Sequence, residues 1–278
     1  MDNRPIGVFD SGLGGLTVVR QLIRELPGEQ IIYFGDTGRV PYGTRSPETI
    51  EKYTRQDCNF LLKEDVKLII AACGTVSSVA PHVLNTLPVP ALGVVEPAAK
   101  AAATVTRNGI IGVIGTSATI NSGSFLINIR KIRPSSQVVE QACPLFVPLV
   151  ENGWIDENDE VTCLTARRYL LPLLNQGVDT LLLGCTHFPL LKPIISKILG
   201  PSVTLIDPGK IAATKCAQML AENDMLCEKS GNGSLRFYLS DRTEDFARVA
   251  GMFLGRDVNG DVHTINIDNV DIPVECGV

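Results

Sequence analysis

The stretch that decides the fold is Leu68-Ile69-Ile70-Ala71-Ala72-Cys73, a short apolar run that ends in a cysteine. The same pattern returns as Thr180-Leu181-Leu182-Leu183-Gly184-Cys185, which begins at residue 180 instead of residue 68, an offset of 112. A second pair of matching stretches, residues 6–11 and residues 111–116, repeats at an offset of 105. Two matches in the same order and at nearly the same offset indicate a chain built from two similar halves.

Short apolar runs alternate with longer amphipathic segments along the chain. Runs such as Ile6–Asp10 and Ile110–Gly115 are short and apolar, which is typical of strands that are covered on both faces. Segments such as Leu16–Leu26, Pro47–Glu64 and Ser77–Leu87 have helical patterns. The alternation predicts an α/β fold with two similar parallel-sheet domains, related by pseudo-twofold symmetry, and an active site in the cleft between them.

The two halves leave a C-terminal segment to be placed. We expect residues 97–207 to form the second domain and residues 1–96 to begin the first. Residues 208–278 contain a predicted helix, the strand Leu235–Leu239 and the helix Thr243–Leu254, which are too few elements for a third domain. We therefore expect this segment to return and complete the first domain.

The composition is that of an ordinary globular protein. The chain has 278 residues, of which 45% are hydrophobic and 20% charged, and its formal net charge is −5. A mildly acidic protein lacks the positive surface of a nucleic-acid binder. No apolar run reaches the ~20 residues that span a bilayer, and the run Ile6–Phe9 is too short to be the apolar region of a signal peptide. We therefore expect a cytoplasmic protein with neither a nucleic-acid nor a membrane partner.

The cysteines do not predict a metal site. No two of the eight have the two-residue spacing of a zinc or thioredoxin motif, and His82 and His263 lack supporting spacing. In a reducing compartment, most of these thiols are expected to be small buried hydrophobes. Cys73 and Cys185 differ, because each directly follows a predicted strand at the edge of a parallel sheet where ligands bind.

Both thiols precede predicted helices, in Ala72-Cys73-Gly74-Thr75 and Gly184-Cys185-Thr186-His187. The amides at a helix N-terminus lower the pKa of a thiol and bind carboxylates, so we expect two reactive thiols that face one cleft. His187 is placed to hydrogen-bond a proton-transferring group. Inert packing is the alternative for any single cysteine at the end of a strand.

The loop after the first strand, Asp10-Ser11-Gly12-Leu13-Gly14-Gly15, begins like a dinucleotide fingerprint. Thr17 occupies the position of the final glycine, and only Asp36 is available as the acidic partner, so we expect no NAD. A tight turn that presents amides to a small anion is the simpler interpretation. Asp10 is then either a helix cap or a catalytic carboxylate.

Two further features have both a functional and a structural interpretation. The segment Gly35–Gly43 is long for a connection between a strand and a helix, so Tyr42 and the amide of Gly43 either hold a polar ligand or lie in a solvated loop. Glu151 follows an apolar run, and it is either a surface residue or a carboxylate that orients His187 across the cleft.

With these residues in place, the chain resembles the cofactor-independent glutamate racemases from Ile6 to about Leu254. The motifs that carry the resemblance are Phe9-Asp10-Ser11-Gly12-Leu13-Gly14-Gly15-Leu16, Tyr33-Phe34-Gly35-Asp36 with Pro41-Tyr42-Gly43, Ala72-Cys73-Gly74-Thr75, Gly112-Val113-Ile114-Gly115-Thr116, Pro144-Leu145-Phe146-Val147-Pro148-Leu149-Val150-Glu151, and Gly184-Cys185-Thr186-His187-Phe188-Pro189-Leu190-Leu191. So many motifs in one order make the resemblance specific.

The resemblance implies a set of roles. Cys73 and Cys185 would be the acid/base thiols, with Asp10 beside the first and with His187 and Glu151 beside the second. The implied substrate-binding residues are Asp10, Ser11, Tyr42, Gly43, Gly74, Thr75, Thr116 and Thr186. Gly74 departs from the asparagine usual in the family, so we expect a gap and a missing donor there. An asparagine introduced at this position should therefore be tolerated and tighten substrate binding.

The implied reaction is the interconversion of L- and D-glutamate without a cofactor, which would supply D-glutamate for peptidoglycan. No lysine stands in a motif, so pyridoxal phosphate is not implied. Glutamate is the expected partner, and the sequence leaves a homodimer open. The alternatives are a related racemase for aspartate or hydantoins and, from another class, a non-catalytic binding protein or a thiol-redox protein.

Overall fold

The chain folds into two parallel β-sheets flanked by helices. The computed structural model describes residues 1–228, 233–242, 245–258 and 262–270. Cys276 and the predicted helical start at Thr243 lie outside the described residues.

The strands are Ile6–Asp10 (β1), Ile31–Gly35 (β2), Leu68–Ala71 (β3), Ala91–Gly93 (β4), Ile110–Gly115 (β5), Gln137–Ala142 (β6), Thr180–Leu183 (β7), Thr204–Ile206 (β8), Leu235–Leu239 (β9) and Val262–Thr264 (β10). The helices are Leu16–Glu25 (α1), Pro47–Lys63 (α2), Gly74–Val79 (α3), Pro81–Leu84 (α4), Val95–Val105 (α5), Ser117–Asn121 (α6), Ser124–Ile132 (α7), Phe146–Glu151 (α8), Glu160–Asn175 (α9), Lys192–Leu199 (α10), Pro208–Glu222 (α11) and Phe246–Leu254 (α12). Short 3-10 turns cover Tyr42–Thr44, Phe188–Leu191 and Ile267–Asn269.

The first sheet has the strand order β10-β9-β2-β1-β3-β4, and its neighbouring strands are parallel. The strand β1 lies at its centre, where Ile6 is in register with Ile31 on one side and with Leu68 on the other. The C-terminal strand β9 pairs with β2, so part of the C-terminal segment joins this sheet. The division into residues 1–96 with 208–278 and residues 97–207 stays a prediction.

The second sheet has the order β6-β5-β7-β8 and is also parallel. The strand β5 pairs with β7 as β1 pairs with β3, so the two sequence matches correspond to equivalent strand pairs. All four residues of β3 and of β7 are buried, as expected for strands covered on both faces. The predicted fold class, two parallel-sheet α/β units, is confirmed.

The pairing places the chemistry-bearing residues at strand ends. Asp10 closes β1, and Thr116 directly follows β5. Cys73 lies just beyond β3, and Cys185 lies just beyond β7. Because the strands of each sheet are parallel, each pair of residues lies at the carboxyl edge of its own sheet.

The helix predicted over Ser77–Leu87 is wrong in its bounds. The helix α3 starts at Gly74 and ends at Val79, and α4 begins anew at Pro81. Proline has no N–H and disfavours helical geometry in the residue before it, and Ala80 accordingly has φ −121° and ψ 40°. The sequence patterns also did not predict α6, α8 and β10. No helix among the described residues is long and apolar enough to cross a membrane.

Candidate active site

The first thiol is buried at the start of α3. Cys73 is the N-cap residue of this six-residue helix, and its side chain is buried. The Cys73 thiol lies 3.6 Å from the Ser11 hydroxyl, to which it donates a weak hydrogen bond. Burial, with a further contribution from the charge of Asp10, raises the pKa of Cys73 to about 12. The expected lowering of this pKa is therefore wrong, because desolvation outweighs the backbone amides.

Asp10 lies beside this thiol, and only one of its two carboxylate oxygens accepts a hydrogen bond within 3.5 Å from the described residues. Its Oδ2 accepts a hydrogen bond of 3.2 Å from the amide of Gly12, whereas Oδ1 has no partner among the described residues. Burial raises the pKa of Asp10, and the charge of His187 partly offsets that rise. The helix α1 begins with Gly15 as its N-cap and has no side-chain cap, so Asp10 does not serve as that cap.

The second thiol has different neighbours. Cys185 follows β7 and is buried, and its sulfur lies 3.7 Å from Nδ1 of His187. The other ring nitrogen, Nε2, lies 3.0 Å from a carboxylate oxygen of Glu151 at the end of α8. Behind the imidazole, the ring of Phe253 makes an edge-to-face contact with a centroid distance of 5.0 Å. The Glu151 side chain is half exposed, and its contact with Nε2 supports the interpretation that it orients His187, which stays a prediction.

No helix begins at the second thiol, contrary to the prediction. After Cys185 the chain makes a turn and then a 3-10 segment over Phe188–Leu191, and α10 starts only at Lys192. Pro189 and Pro193 interrupt the regular hydrogen bonding there. The expectation that both thiols stand at the start of a helix therefore holds for Cys73 alone.

The imidazole of His187 is protonated at neutral pH. Burial acts to lower its pKa, but the hydrogen bonds to Cys185 and Glu151 outweigh burial and raise the pKa to about 10. The second thiol consequently faces a buried cation, whereas the first faces a carboxylate. This difference gives the two sulfur atoms opposite electrostatic surroundings.

The two thiol-bearing loops meet at a pair of glycines. A Cβ atom on Gly74 would lie 2.4 Å from the carbonyl oxygen of Gly184 and 3.8 Å from the Cα of Cys185. The expected gap at Gly74 does not exist, since the backbone of the second half occupies that space. An asparagine at this position would collide with Gly184, so the tolerance expected for Gly74→Asn is contradicted in this arrangement.

Hydroxyl groups from both halves also meet. The hydroxyls of Thr75 and Thr116 lie 3.1 Å apart, and Thr116 caps α6 by accepting a hydrogen bond of 3.3 Å from the amide of Thr119. Gly43 approaches the same place, since a Cβ there would lie 3.0 Å from the Cβ of Thr116. The hydroxyl of Thr186 lies 3.4 Å from Nδ1 of His187. The structure thus brings these predicted residues to one cleft.

Tyr42 is placed differently from its neighbours. Its side chain is buried, and its hydroxyl donates to Asp36 and also lies 3.1 Å from a carboxylate oxygen of Asp57. The guanidinium of Arg39 bridges these two carboxylates at 2.7 Å and 3.1 Å and lies 4.0 Å from the ring centroid of Tyr53. The Tyr42 side chain therefore anchors the loop, and the backbone of residues 42–43 is the part that reaches the cleft.

Sequence reasoning missed three residues around this cleft. Arg39 and Asp57 form the buried charge cluster under Tyr42, and Thr17 bonds across the cleft to the second thiol loop. Asp57 carried a usable signal, because it lies next to Cys58 on a helix face whose other members, such as Ile50 and Leu61, are apolar. A carboxylate on such a face requires a buried partner.

A small cavity of about 10 Å³ lies next to the second thiol, bordered by Gly74, Gly184, Cys185 and Thr186 among others. Across the part of the chain that the structure describes, no group of three or more His, Cys, Asp or Glu side chains is arranged to hold a metal ion.

Comparison with known proteins agrees with this geometry. Residues 6–216 match the family profile described as Asp/Glu/hydantoin racemase. The chain is 48% identical over 266 residues to the glutamate racemase of Geobacter metallireducens, which covers 95% of this chain and 97% of that protein. The chain belongs to the Asp/Glu/hydantoin racemase family.

Solved structures of this racemase family share the whole architecture. The crystal structure of glutamate racemase from Francisella tularensis in complex with D-glutamate is 39% identical, with a TM-score of 0.90 over 96% of this chain and 99% of that chain. The crystal structure of a glutamate racemase isoform from Bacillus anthracis is 36% identical, with a TM-score of 0.90 and the same coverage. The predicted resemblance to the racemase family is confirmed.

Proposed function

We propose that this chain interconverts L- and D-glutamate without a cofactor, using Cys73 and Cys185 as its acid and base. The observation that carries the proposal is the meeting of two strand-end thiol loops from equivalent halves, with Gly74 against Gly184 at the contact. Relatives 48% and 49% identical to this chain are glutamate racemases, which supports glutamate over aspartate or hydantoins.

The reaction needs two proton-transferring groups on opposite faces of one carbon atom. In the direction from L to D, the Cys185 thiolate takes the proton from the α-carbon, and the bonding electrons remain on that carbon as a planar carbanion. The Cys73 thiol then donates its proton to the opposite face, which yields D-glutamate, a Cys185 thiol and a Cys73 thiolate. The reverse direction uses the same groups with their roles exchanged.

The surroundings of each thiol suit one of these roles in the resting enzyme. The pKa of about 12 keeps Cys73 protonated at neutral pH, so it is ready to act as the acid. His187 is an imidazolium that donates a hydrogen bond toward the Cys185 sulfur, and Glu151 holds the ring in place. The resting state is therefore prepared to take a proton from L-glutamate.

The remaining predicted residues bind the substrate and the developing charge. The hydroxyl of Thr186 borders the cavity next to Cys185, and that of Ser11 lies beside Cys73. The hydroxyls of Thr75 and Thr116 lie 3.1 Å apart, and Gly43 is close to Thr116. Hydrogen-bond donors that are already oriented stabilise the carbanion better than water does, because they need no rearrangement during the reaction. Asp10 has an oxygen without a partner among the described residues, and this oxygen is available to accept a hydrogen bond from the substrate ammonium group.

Closure of the cleft is part of this mechanism. The halves touch through Gly74 and Gly184 beside the two thiols. We expect the halves to move apart to admit glutamate and to return around it, which excludes water from the carbanion. The product in the L-to-D direction, D-glutamate, would serve peptidoglycan synthesis.

The decisive experiment incubates the purified protein with L- or D-glutamate in heavy water. Circular dichroism should show loss of optical activity from either enantiomer, and NMR should show deuterium at the α-carbon of the product. Aspartate and hydantoins in parallel reactions test the substrate. Binding without α-hydrogen exchange would indicate a non-catalytic binding protein, and a Cys73–Cys185 disulfide without turnover would indicate a redox protein.

The absence of a cofactor is tested separately. Dialysis against a chelator should leave the rate unchanged, and the absorption spectrum should show no cofactor band. Activity that disappears on dialysis and returns with zinc would contradict the proposal. A homodimer stays a prediction, for which sedimentation velocity is the direct test.

A further inference from the structure

Thr17 is a buried polar residue at the start of α1, outside the predicted set of site residues. Its hydroxyl oxygen lies 2.9 Å from the carbonyl oxygen of Gly14 and 3.0 Å from that of Thr186. The second of these acceptors belongs to the loop that carries Cys185. The Thr17 side chain therefore connects the first half of the molecule to the second thiol.

The hydroxyl has one proton, and the contacts indicate which acceptor depends on it. The carbonyl of Gly14 already accepts a hydrogen bond of 3.0 Å from the amide of Thr17 itself. The carbonyl of Thr186 has no such local donor, because the residue three positions later is Pro189, which lacks an N–H. The next amide, that of Leu190, donates to His187 instead, at 3.1 Å. The hydroxyl of Thr17 therefore supplies the hydrogen-bond donor for the Thr186 carbonyl that the turn itself lacks.

The Thr186 carbonyl belongs to the peptide group that joins Thr186 to His187. A peptide group is planar, so a hydrogen bond that holds its carbonyl also fixes the direction in which the chain enters His187. The imidazole then reaches the Cys185 sulfur at 3.7 Å. Orientation of this peptide therefore bears directly on the distance between the sulfur and the imidazole.

A second contact supports the same loop from the same side. A Cβ atom on Gly14 would lie 2.3 Å from the hydroxyl oxygen of Thr186 and 2.6 Å from Nδ1 of His187. The backbone of the glycine-rich loop is thus seated directly against these two residues. The hydroxyl of Thr17 is the polar part of this tight contact, with the carbonyls of Gly14 and Thr186 as its two acceptors.

We propose that Thr17 is a positioning residue for the second thiol: its hydroxyl, donated across the cleft to the Thr186 carbonyl, holds His187 at proton-transfer distance from Cys185. The proposal rests on the proposed function for its effect on turnover. Its effect on the geometry of Cys185 does not require a substrate and is measured independently.

The test compares Thr17→Val, which keeps the shape but removes the donor, with Thr17→Ser, which keeps the donor. Thr17→Val should lower kcat about ten-fold with little change in KM, since small displacements of reacting groups reduce rates strongly. Thr17→Ser should retain most of the rate. Thr54→Val is the matched control, because Thr54 is a buried threonine whose hydroxyl donates to the Ile50 carbonyl at 2.7 Å within α2.

A measurement without substrate separates the two proposals. The rates at which iodoacetamide alkylates Cys73 and Cys185 are followed from pH 6 to pH 10 by mass spectrometry of the two peptides. Thr17→Val should change the pH profile of Cys185 and leave that of Cys73 unchanged. Thr54→Val should change neither profile, although both valine variants are expected to lower Tm.

Two results would overturn the role of Thr17. One is a wild-type kcat together with a wild-type Cys185 profile in Thr17→Val, and the other is a Thr17→Ser variant as impaired as Thr17→Val. If Thr17→Val does not fold, Thr17→Ala against Thr17→Ser gives the same comparison. If the wild-type protein fails to racemise glutamate while the Cys185 profile still responds to Thr17→Val, the proposed function fails and the positioning role stands.

Discussion

Cys73 and Cys185 occupy equivalent places in the two halves of the molecule, each just beyond a central parallel strand. Around Cys73 the structure places a carboxylate, Asp10, and the hydroxyl of Ser11. Burial, and after it the charge of Asp10, raises the pKa of this thiol to about 12. Around Cys185 the structure places His187, whose own pKa rises to about 10 because of its hydrogen bonds to the sulfur and to Glu151, despite burial. One thiol thus faces an anion, and the other faces a cation.

The difference shows how a repeated architecture can serve a reaction that uses its two sides in opposite ways. A racemase needs one group that is protonated and one that is not at the start of each turnover. Two identical sites would have the same electrostatic surroundings, whereas here a carboxylate lies beside one thiol and an imidazole beside the other. The duplicated fold places the two thiols at equivalent positions. The side chains of Asp10, His187 and Glu151 give them different electrostatic surroundings.

The largest effect is expected when one of the two thiols is removed. Cys73→Ala and Cys185→Ala should each lower the racemisation rate by about 10³-fold or more, because each turnover uses both faces of the carbanion. Residual α-hydrogen exchange should differ: Cys73→Ala should exchange L-glutamate, and Cys185→Ala should exchange D-glutamate. NMR in heavy water measures both. Cys58→Ala, which removes a buried thiol in α2, is the control and should remain active.

If either thiol variant racemises glutamate at a rate near that of the wild type, the two-thiol mechanism is wrong. Asp10 or His187 would then be the next candidate for the second base.

A smaller effect is expected when the contact between the two thiol loops is disturbed. Gly74→Ala places a Cβ 2.4 Å from the Gly184 carbonyl, so the halves must separate for it to fit. We expect kcat/KM to fall about 10²-fold, as for a displacement of roughly 1 Å in the reacting groups. Steady-state kinetics gives the size of the loss. Gly251→Ala is the control, because its Cβ would meet only Arg256 O at 3.4 Å. Unchanged kinetics in Gly74→Ala would show that the contact is not needed for catalysis.

Substitution of either carboxylate, Glu151 or Asp10, tests the difference between the two sites more finely. Each substitution should lower kcat about ten-fold. Glu151→Gln should lower the pKa of His187 below about 10, because the variant loses an anionic partner of the imidazolium. Asp10→Asn should lower the pKa of Cys73 below about 12, because a negative charge beside the thiol is removed. NMR titration of the imidazole and alkylation of Cys73 measure the two shifts. Because the charges of Asp10 and His187 also act on each other, Asp10→Asn should lower the pKa of His187 as well. An unchanged pKa of Cys73 in Asp10→Asn, or of His187 in Glu151→Gln, would contradict these assignments.

The smallest effect is on stability. Each site should lose its contribution to stability over a different pH range. The pKa of His187 is about 10 in the folded chain against 6.5 for the free side chain, so its stabilisation is complete below pH 6.5 and is lost as pH rises to 10. For Cys73 the corresponding loss falls between pH 9 and pH 12. Thermal melts should show Tm falling by a few degrees in the first window, and His187→Gln should remove that fall.

The strands of the two sheets could be predicted from the sequence because strands buried on both faces consist of continuous apolar runs. Ile6–Asp10, Ile110–Gly115 and Thr180–Leu183 have the same bounds in the structure as in the sequence patterns. Pro81 was an exception, since it interrupts the helical pattern Ser77–Leu87 that periodicity alone carried through. The helix predicted to start at Pro189 begins only at Lys192, after a 3-10 turn.

The sequence by itself determined the repeat, the parallel α/β class and the position of each thiol at the end of a strand, because these follow from residue types close together in the chain. Only the tertiary structure decided the proton state of Cys73, the closed contact of Gly74 with Gly184 and the bond from Thr17 to Thr186. Desolvation and contact depend on which distant segments lie within a few ångströms. Thr17 and Thr186 are 169 residues apart in the chain and 3.0 Å apart in the fold.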